Sequence, residues 1–393
     1  MKKFKNSFLN ILYYCIILSF LFPRGYAEIN SVCRKIYTVA IWGSILIIWI
    51  QFFMSYFKMT LKKESIPIIA YFVIIIIITL AKRGLAINGY QKLIAYPSIC
   101  LFLICNFKKN PKMLLNVINN VVLVLFILNQ VVLRKVFAEQ YHLTFLGHVQ
   151  MVAQIGTLAV FCAMLFEMLY KEKKIRTIFI IVLSLYTMFT TDASSAIITS
   201  IILCIFIFLY KIKKYSIFTY NSKIYIIGGI ILNIFIVTIS IVNNLKYNNA
   251  IQLLDFSGRS FVWIEALSKF KNEIMLGYGI DGVLLKVFWN RWINPEGFNY
   301  AHNQILQNLI DGGLVGMILF TLMFFSFCKN IRKIEESKYQ ALINCIIVIF
   351  SAIMIFESTS LYCYMYMCFS IIYVLPYVIE NIKEGENKNG SLE

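Results

Sequence analysis

Long uncharged apolar runs constrain this chain more than any other feature of its sequence. The stretches "YFVIIIIITLA" (71–81) and "SSAIITSIILCIFIFLY" (194–210) contain no Asp, Glu, Lys or Arg. A helix needs about 20 apolar residues to cross a hydrocarbon core of ~30 Å, and in lipid its backbone groups must bond to one another. Because 60% of the 393 residues are hydrophobic, the chain can form many such helices. The runs predict an all-α integral membrane protein.

Twelve apolar segments are interpreted as membrane spans. They cover roughly residues 6–23, 36–57, 66–81, 91–106, 114–133, 147–169, 175–191, 194–210, 223–242, 304–328, 340–358 and 361–379. The first follows a basic start, as in a signal peptide, but lacks a clear small-residue cleavage site, so we expect it to be retained as a helix. The predicted regions are a membrane domain of about nine spans, a large loop, three last spans and a disordered polar tail: 1–242, 243–303, 304–379 and 380–393.

The distribution of Lys and Arg predicts the orientation of these spans. Basic residues accumulate on the cytoplasmic side of membrane proteins. Placing both termini in the cytoplasm assigns most of the 37 Lys and Arg residues to that side. Membrane topology therefore explains the net charge of +18, and no nucleic-acid partner is predicted. We expect a multi-pass protein of the cytoplasmic (plasma) membrane, with the large loop outside.

The large loop contains one predicted amphipathic helix, "SFVWIEALSKFKNEI" (260–274). Its apolar stripe is formed by Phe261, Ile264, Leu267, Phe270 and Ile274. Charged residues repeat at every fourth position on the other face, and Ser257 or Ser260 is expected to cap the start. We expect the helix to lie on the membrane surface or to pack over the spans.

His302 stands where this loop turns into the span at 304–328. A helix N-terminus carries a partial positive charge, which favours a neutral imidazole. A neutral histidine at an aqueous edge can act as a general base. A polar stripe that should face the bundle follows in the span, at Gln304, Asn308 and Asp311. Next come Gly312 and Gly313, which allow a neighbouring helix or a ligand to approach closely.

Cations lie near the same boundary and suit a phosphate ligand. Arg259 opens the loop helix after Gly258, and Lys82 and Arg83 end the span at 66–81. A guanidinium beside free helix N–H groups binds phosphate oxygens well. The chain has no Asp-x-Asp pair, so a metal-dependent nucleotide-sugar site is not predicted. Together with His302, these cations fit a phosphorylated lipid that enters from the outer leaflet.

Each candidate residue also has a structural interpretation. His302 could cap the helix, and Arg83 could anchor its guanidinium among lipid headgroups. Arg259 could pair with a carboxylate of its own loop, and the polar stripe could join neighbouring helices. His148 is interpreted as structural. The ordered combination of these residues, rather than any one of them, favours a functional site.

That combination resembles the O-antigen ligase and Wzy-type polysaccharide polymerase superfamily. The resemblance covers residues 257–320, and its motif residues are Gly258, Arg259, Trp263, Gly277, Gly279, His302, Asn303, Gly313 and Gly316. It implies a GT-C-like membrane glycosyltransferase with one large extracytoplasmic loop, which needs no metal or other cofactor. The implied donor is an oligosaccharide carried on undecaprenyl pyrophosphate, within a membrane of lipid.

The resemblance also implies roles for individual residues. Arg259, and with it Arg83, would bind the pyrophosphate leaving group, while His302 would take the proton from the acceptor hydroxyl. The remaining substrate-binding residues would be Lys82, Asn303, Gln304, Gly258 and Trp263.

Three functions remain open at this stage. The first is a polymerase of lipid-linked repeat units for capsule, exopolysaccharide or O-antigen, with a flippase and a chain-length regulator as partners. The second is a ligase that transfers finished glycan to another acceptor, and the third is a polysaccharide flippase. Transporters show internal repeats and broken helices, and no half-to-half repeat is apparent here. The abundance of Ile, Lys and Asn suggests an AT-rich genome and favours the polymerase.

Overall fold

The computed structural model describes residues 2–56, 65–82, 87–132, 134–137, 142–191, 193–246, 258–289 and 292–390. Most of these residues are helical. The helices are α1 (Lys2–Phe20), α2 (Arg24–Ile29), α3 (Ser31–Tyr56), α4 (Ile66–Lys82), α5 (Ile87–Lys109), α6 (Pro111–Ile127), α7 (Arg134–Phe137), α8 (Val149–Tyr170), α9 (Lys174–Phe189), α10 (Ser194–Lys211), α11 (Ser222–Lys246), α12 (Arg259–Asn272), α13 (Gln304–Cys328), α14 (Ser337–Phe356) and α15 (Cys363–Gly390). The predicted all-α class is confirmed.

In the described parts of the chain, two small antiparallel hairpins lie between helices; the sequence analysis did not predict them. The first pairs β1 (Leu143–Thr144) with β2 (Gly147–His148). The second pairs β3 (Leu285–Trp289) with β4 (Trp292–Phe298). The β3–β4 hairpin lies in the predicted 243–303 loop and leads directly to His302.

Among the described residues, eight helical segments are long and apolar enough to cross a membrane. They are Ser31–Met54, Pro111–Val131, Val149–Tyr170, Ser194–Lys211, Ser222–Val242, Gln304–Lys333, Ser337–Phe356 and Cys363–Glu384. Two shorter apolar helices are Ser7–Phe20 and Ile66–Lys82. The chain is therefore an integral membrane protein. A helix occupies each of the twelve predicted segments, but the number of helices that cross the membrane stays a prediction.

Helices α8 and α15 form the centre of the bundle. In each, 89% of the most apolar window is buried, against 22% in α3 and α11. A helix that is apolar on all sides and buried belongs inside a large bundle, whereas one with exposed apolar side chains faces lipid. This difference in burial places α8 and α15 at the centre of the bundle and α3 and α11 at its periphery.

Helix α12 packs with a face that matches the predicted stripe only in part. Its fully buried residues are Ser260, Val262, Trp263 and Ala266, while Phe261 and Leu267 of the predicted stripe are partly buried against the same core. The helix shares a small apolar core with the β3–β4 hairpin and the start of α13. Small residues let it approach these elements closely, so the buried face is shifted from the one that the apolar periodicity indicated. Gly258 with φ 81°, rather than a serine, stands at the N-cap.

The predicted disordered tail is also corrected. Helix α15 continues to Gly390, well past the predicted span end at 379. Lys383 contacts Glu335 and Glu336 at 3.3 and 3.4 Å, and these ion pairs hold the extension against the segment before α14.

Helix α13 is broken at Gly313, whose φ of 61° and ψ of −156° are not helical. The segment 274–279 lies against the break and pairs its free backbone groups. Leu314 N–H donates to the Ile274 carbonyl at 2.8 Å, and Tyr278 N–H donates to the Ile310 carbonyl at 2.7 Å. Buried backbone groups must be paired, so this segment completes the helix. The Gly277–Gly279 motif therefore contacts protein backbone here.

Gly313→Ala should destabilise the fold by more than about 1–3 kcal/mol, because alanine is strained at positive φ. An added Cβ would also lie 2.3 Å from the Met275 carbonyl group. The measurement is the midpoint of thermal unfolding in detergent. Gly43→Ala in α3 is the control, since its Cβ meets no described atom within 4 Å. Equal midpoints for the two variants would contradict the packing described here.

Candidate functional site

His302 is held in a buried turn between β4 and α13. His302 is only 6% exposed, and its backbone φ of 49° lies in the left-handed region. Histidine adopts this region more often than most residues do, but at some cost in strain. The imidazole is flanked by the ring of Tyr300, 4.2 Å away between centroids. The backbone thus fixes the direction in which the imidazole projects.

Asn303, not His302, caps α13. Its side chain accepts the Leu306 N–H at 3.1 Å and donates to Asn233 Oδ1 at 2.8 Å and to the Ile355 carbonyl at 3.0 Å. The residue is fully buried. Its side chain therefore forms hydrogen bonds with α11, α13 and α14, and its observed role is to join these helices at the site.

Glu357, which follows α14, is the residue that the sequence analysis missed. Its side chain is 2% exposed, and Arg259 Nη2 donates to its Oε1 at 2.9 Å. Its other oxygen, Oε2, lies 3.6 Å from His302 Nδ1. One buried carboxylate therefore lies between the two residues that the sequence analysis selected as catalytic. The sequence does contain an indication of this residue: Glu357 is an acidic residue within the predicted span 340–358, where an ionisable group is costly and usually functional.

Gln150, at the start of α8, approaches the same imidazole nitrogen, Nδ1, as Glu357 does. Its Nε2 lies 3.3 Å from His302 Nδ1, and among the described residues its Oε1 has no hydrogen-bond partner. Exchanging the amide oxygen and nitrogen, which have nearly the same shape, lets Oε1 accept a hydrogen bond from the Nδ1–H group. Both Glu357 and Gln150 then favour the tautomer with hydrogen on Nδ1, which leaves the Nε2 lone pair free to accept a proton.

His148 lies beside this group, at the N-cap of α8, although it was interpreted as structural. Its Nδ1 accepts the Gln150 backbone N–H at 3.4 Å. Burial lowers the pKa of His148, nearby His142 and His302 lower it further, and Glu357 acts in the opposite direction. A lowered pKa keeps His148 neutral at neutral pH.

Tyr300 supplies a protonated hydroxyl next to the imidazole. Burial, and secondarily the negative charge of Glu357, raise the pKa of Tyr300 to about 12. Tyr362 also lies near Tyr300 and Glu357, and burial again is the main cause of its raised pKa. Both tyrosines are therefore neutral hydrogen-bond donors at physiological pH.

The polar stripe of α13 positions the segment that carries Glu357. Gln304 Oε1 accepts the Ser360 N–H at 2.8 Å and the Thr359 hydroxyl at 3.0 Å. Gln307 Oε1 accepts the Ser358 hydroxyl at 3.1 Å, and its Nε2 donates to Asp311 Oδ1 at 2.9 Å. These contacts match the helix-joining interpretation of the stripe, with Gln304 bonded to protein at both ends of its amide.

Two other predicted binding residues, Lys82 and Trp263, have partners outside this cluster. Lys82 pairs with Glu273 at 2.7 Å, where both side chains are partly exposed. Trp263 is fully buried in the apolar core beneath the β3–β4 hairpin, and Gly258 forms the turn before α12. Arg83 lies outside the described residues.

The fold and this cluster define a polytopic membrane protein with a buried histidine, carboxylate and arginine at the end of a broken helix. Residues 179–321 match the family model described as O-antigen ligase, which confirms the resemblance seen in the sequence. A protein of Rickettsia felis, provisionally named a polysaccharide ligase, is 31% identical over 90 residues. A provisionally named polysaccharide ligase of Rickettsia conorii is 28% identical over 91 residues. Each match covers 21% of this chain and 22% of the relative.

Proposed function

We propose that this chain is a membrane glycosyltransferase of the O-antigen ligase type. It transfers a glycan from a polyprenyl pyrophosphate carrier to an acceptor hydroxyl at the outer face of the cytoplasmic membrane. The observation that carries this proposal is His302, whose Nδ1 faces Glu357 and Gln150. A base fixed in this way can act on an acceptor hydroxyl without being reoriented.

The proposed reaction is one displacement at the anomeric carbon. The acceptor hydroxyl gives its proton to His302 Nε2, and its oxygen forms a bond to that carbon. The bond between the anomeric carbon and the phosphate oxygen breaks, and the carrier pyrophosphate leaves with the electron pair. Glu357 stabilises the imidazolium that forms. The imidazolium then returns its proton to solvent or to the leaving group.

Arg259 takes a modified role in this proposal. Its Nη2 is paired with Glu357, so its first function is to hold that carboxylate toward His302. A guanidinium has five N–H donors, and those not used by Glu357 remain available for a donor phosphate. A role for Arg83 or Lys82 in pyrophosphate binding stays a prediction.

An apolar groove below the cluster supports a lipid-linked substrate. It lies between α11, α13 and α14 and is narrow, with a cavity volume of about 30 Å³. Polar side chains at one end include Asn233 and Gln304, and the other end is lined by Phe320 and Phe324. A groove that changes from polar to apolar in this way suits a molecule with a polar head and a hydrocarbon tail.

Ligase and polymerase differ in the acceptor rather than in the chemistry. The composition of the chain favoured a polymerase, whereas both named relatives carry the name of a ligase. We therefore place the ligase first and keep the polymerase as the alternative. The flippase is less well supported, because the broken ends of α13 are paired by the segment 274–279, whereas transporter half-helices present their ends to a substrate.

The purified protein should transfer glycan from a lipid-linked oligosaccharide in the presence of EDTA and without any sugar nucleotide. The energy is held in the glycosyl–phosphate bond of the donor, and the proposed base is a side chain. The measurement is gel analysis of labelled product. One new band on an added acceptor indicates a ligase, whereas a ladder spaced by one repeat indicates a polymerase.

The reaction should be repeated with added Mg²⁺ and with donor that lacks the pyrophosphate. A strict requirement for Mg²⁺ or for a sugar nucleotide would refute the proposal. Movement of intact donor between leaflets without any bond transfer would instead favour the flippase.

A further inference from the structure

Arg24, the first residue of α2, is attached to the segment that carries Gln150. Its backbone N–H donates to the Leu146 carbonyl at 3.2 Å, four residues before Gln150 along the chain. Cys363 Sγ contacts the Phe20 carbonyl at 3.3 Å, so the start of α15 is attached to the same corner. Arg24 therefore lies on the same side of the bundle as the His302 cluster.

Arg24 differs from neighbouring cations in its partners. Lys82, Lys92 and Arg259 each have a carboxylate at 2.7, 3.0 and 2.9 Å. Within the described residues, no carboxylate lies within salt-bridge distance of the Arg24 guanidinium. Glu28, in the same helix, is exposed and interacts with it only at longer range. A partly buried cation without a paired anion is costly.

Tyrosines surround the guanidinium of Arg24. Its Cζ lies 6.0 Å from the ring centroid of Tyr37 and 5.6 Å from that of Tyr362. Tyr364 is also within electrostatic range, and Tyr96 accepts a hydrogen bond from Arg24 while its own hydroxyl donates to the Leu361 carbonyl. Aromatic faces stabilise a cation without neutralising it, and tyrosine hydroxyls can donate to an anion. The surroundings therefore leave the positive charge available.

Tyr362 connects this group with the proposed reaction centre. It interacts electrostatically with Tyr300, Glu357 and Arg24, and the Tyr300 ring packs against His302 at a tilt of 55°, with 4.2 Å between centroids. An anion bound by Arg24 would lie across Tyr362 from the proposed base.

We propose that Arg24 and the hydroxyls of Tyr37 and Tyr364 form an oxyanion subsite that binds an anionic group of the glycan substrate. This group is either a phosphate of the lipid carrier or a carboxylate of an acidic sugar, since both present oxygens that suit a guanidinium. The identity of the substrate rests on the proposed function, but anion binding can be measured without any transfer reaction.

The test is equilibrium binding to the purified full-length protein. The probes are farnesyl diphosphate, trigalacturonate and the methyl ester of trigalacturonate. Arg24→Ala should weaken the binding of one anionic probe by about tenfold or more, as expected for loss of a charge-assisted hydrogen bond. Arg24→Lys should bind with intermediate affinity, because it keeps the charge and loses the planar fork. Binding of the neutral ester should not change.

Arg34→Ala is the matched control. Arg34 also lacks a carboxylate partner in the described structure, but its guanidinium donates to the backbone carbonyls of Ala27 and Glu28 at 3.2 and 2.8 Å. Loss of diphosphate binding identifies the carrier as the source of the anion, and loss of uronate binding alone identifies the sugar. The proposal is overturned if the wild type binds neither probe, or if Arg24→Ala binds like Arg34→Ala. Tyr37→Phe, which keeps the ring, supplies a second variant if Arg24→Ala does not fold.

Discussion

The His302→Ala variant should transfer glycan at least about 100-fold more slowly than the wild type, as expected for loss of a general base. Glu357 and Gln150 both face Nδ1 of His302, and Nε2 is the nitrogen that receives the proton in the proposed reaction. Alanine removes the proton acceptor and leaves the Glu357–Arg259 pair in place. The measurement is the initial rate of product formation with a lipid-linked donor.

Donor affinity and protein abundance separate lost chemistry from lost structure. The variant should bind donor about as well as the wild type, because the proposed role of His302 is proton transfer. His142→Ala is a suitable control, since His142 is exposed and its ring stacks on His148 at 6.0 Å. Normal transfer by His302→Ala at normal abundance would show that the histidine only shapes the turn before α13.

The helices could be predicted from the sequence because the signal for a membrane helix is local. The predicted spans at 66–81 and 194–210 correspond to α4 at Ile66–Lys82 and α10 at Ser194–Lys211. A run of apolar residues determines such a helix almost independently of the rest of the chain. The break in α13 could not be read in the same way, because it depends on backbone bonds from the segment 274–279.

The candidate site was predictable only in part. His302 and Arg259 were selected by their positions at helix starts, which the sequence displays directly. Their connection through Glu357 joins Arg259 to a residue 98 positions away, and no local pattern encodes that contact. For the same reason no sequence pattern indicated Arg24, which lies in a helix of 6 residues: its proposed role depends on neighbours from α3, α5 and α15.

Removing Glu357 while keeping Arg259 should have the largest effect on stability of any single substitution at the site. Breaking a buried ion pair by removing one partner typically costs about 3–5 kcal/mol, because the other charge stays buried without compensation. Here the side chains of Arg259 and Glu357 are 15% and 2% exposed. Glu357→Leu should therefore lower the unfolding midpoint in detergent strongly. Glu172→Leu, which breaks an exposed pair with Lys112, should cost at most about 1 kcal/mol.

The double variant Arg259→Met/Glu357→Leu then distinguishes support of the fold from support of the reaction. Replacing both charges by apolar side chains is often neutral for stability, so the unfolding midpoint should recover most of what Glu357→Leu alone loses. Transfer should not recover, because His302 has lost the carboxylate that stabilises its protonated form and the site has lost a guanidinium. Recovery of both properties would mean that the pair only supports the fold. If the midpoint does not recover, the loss from Glu357→Leu arises from packing rather than from an unpaired charge.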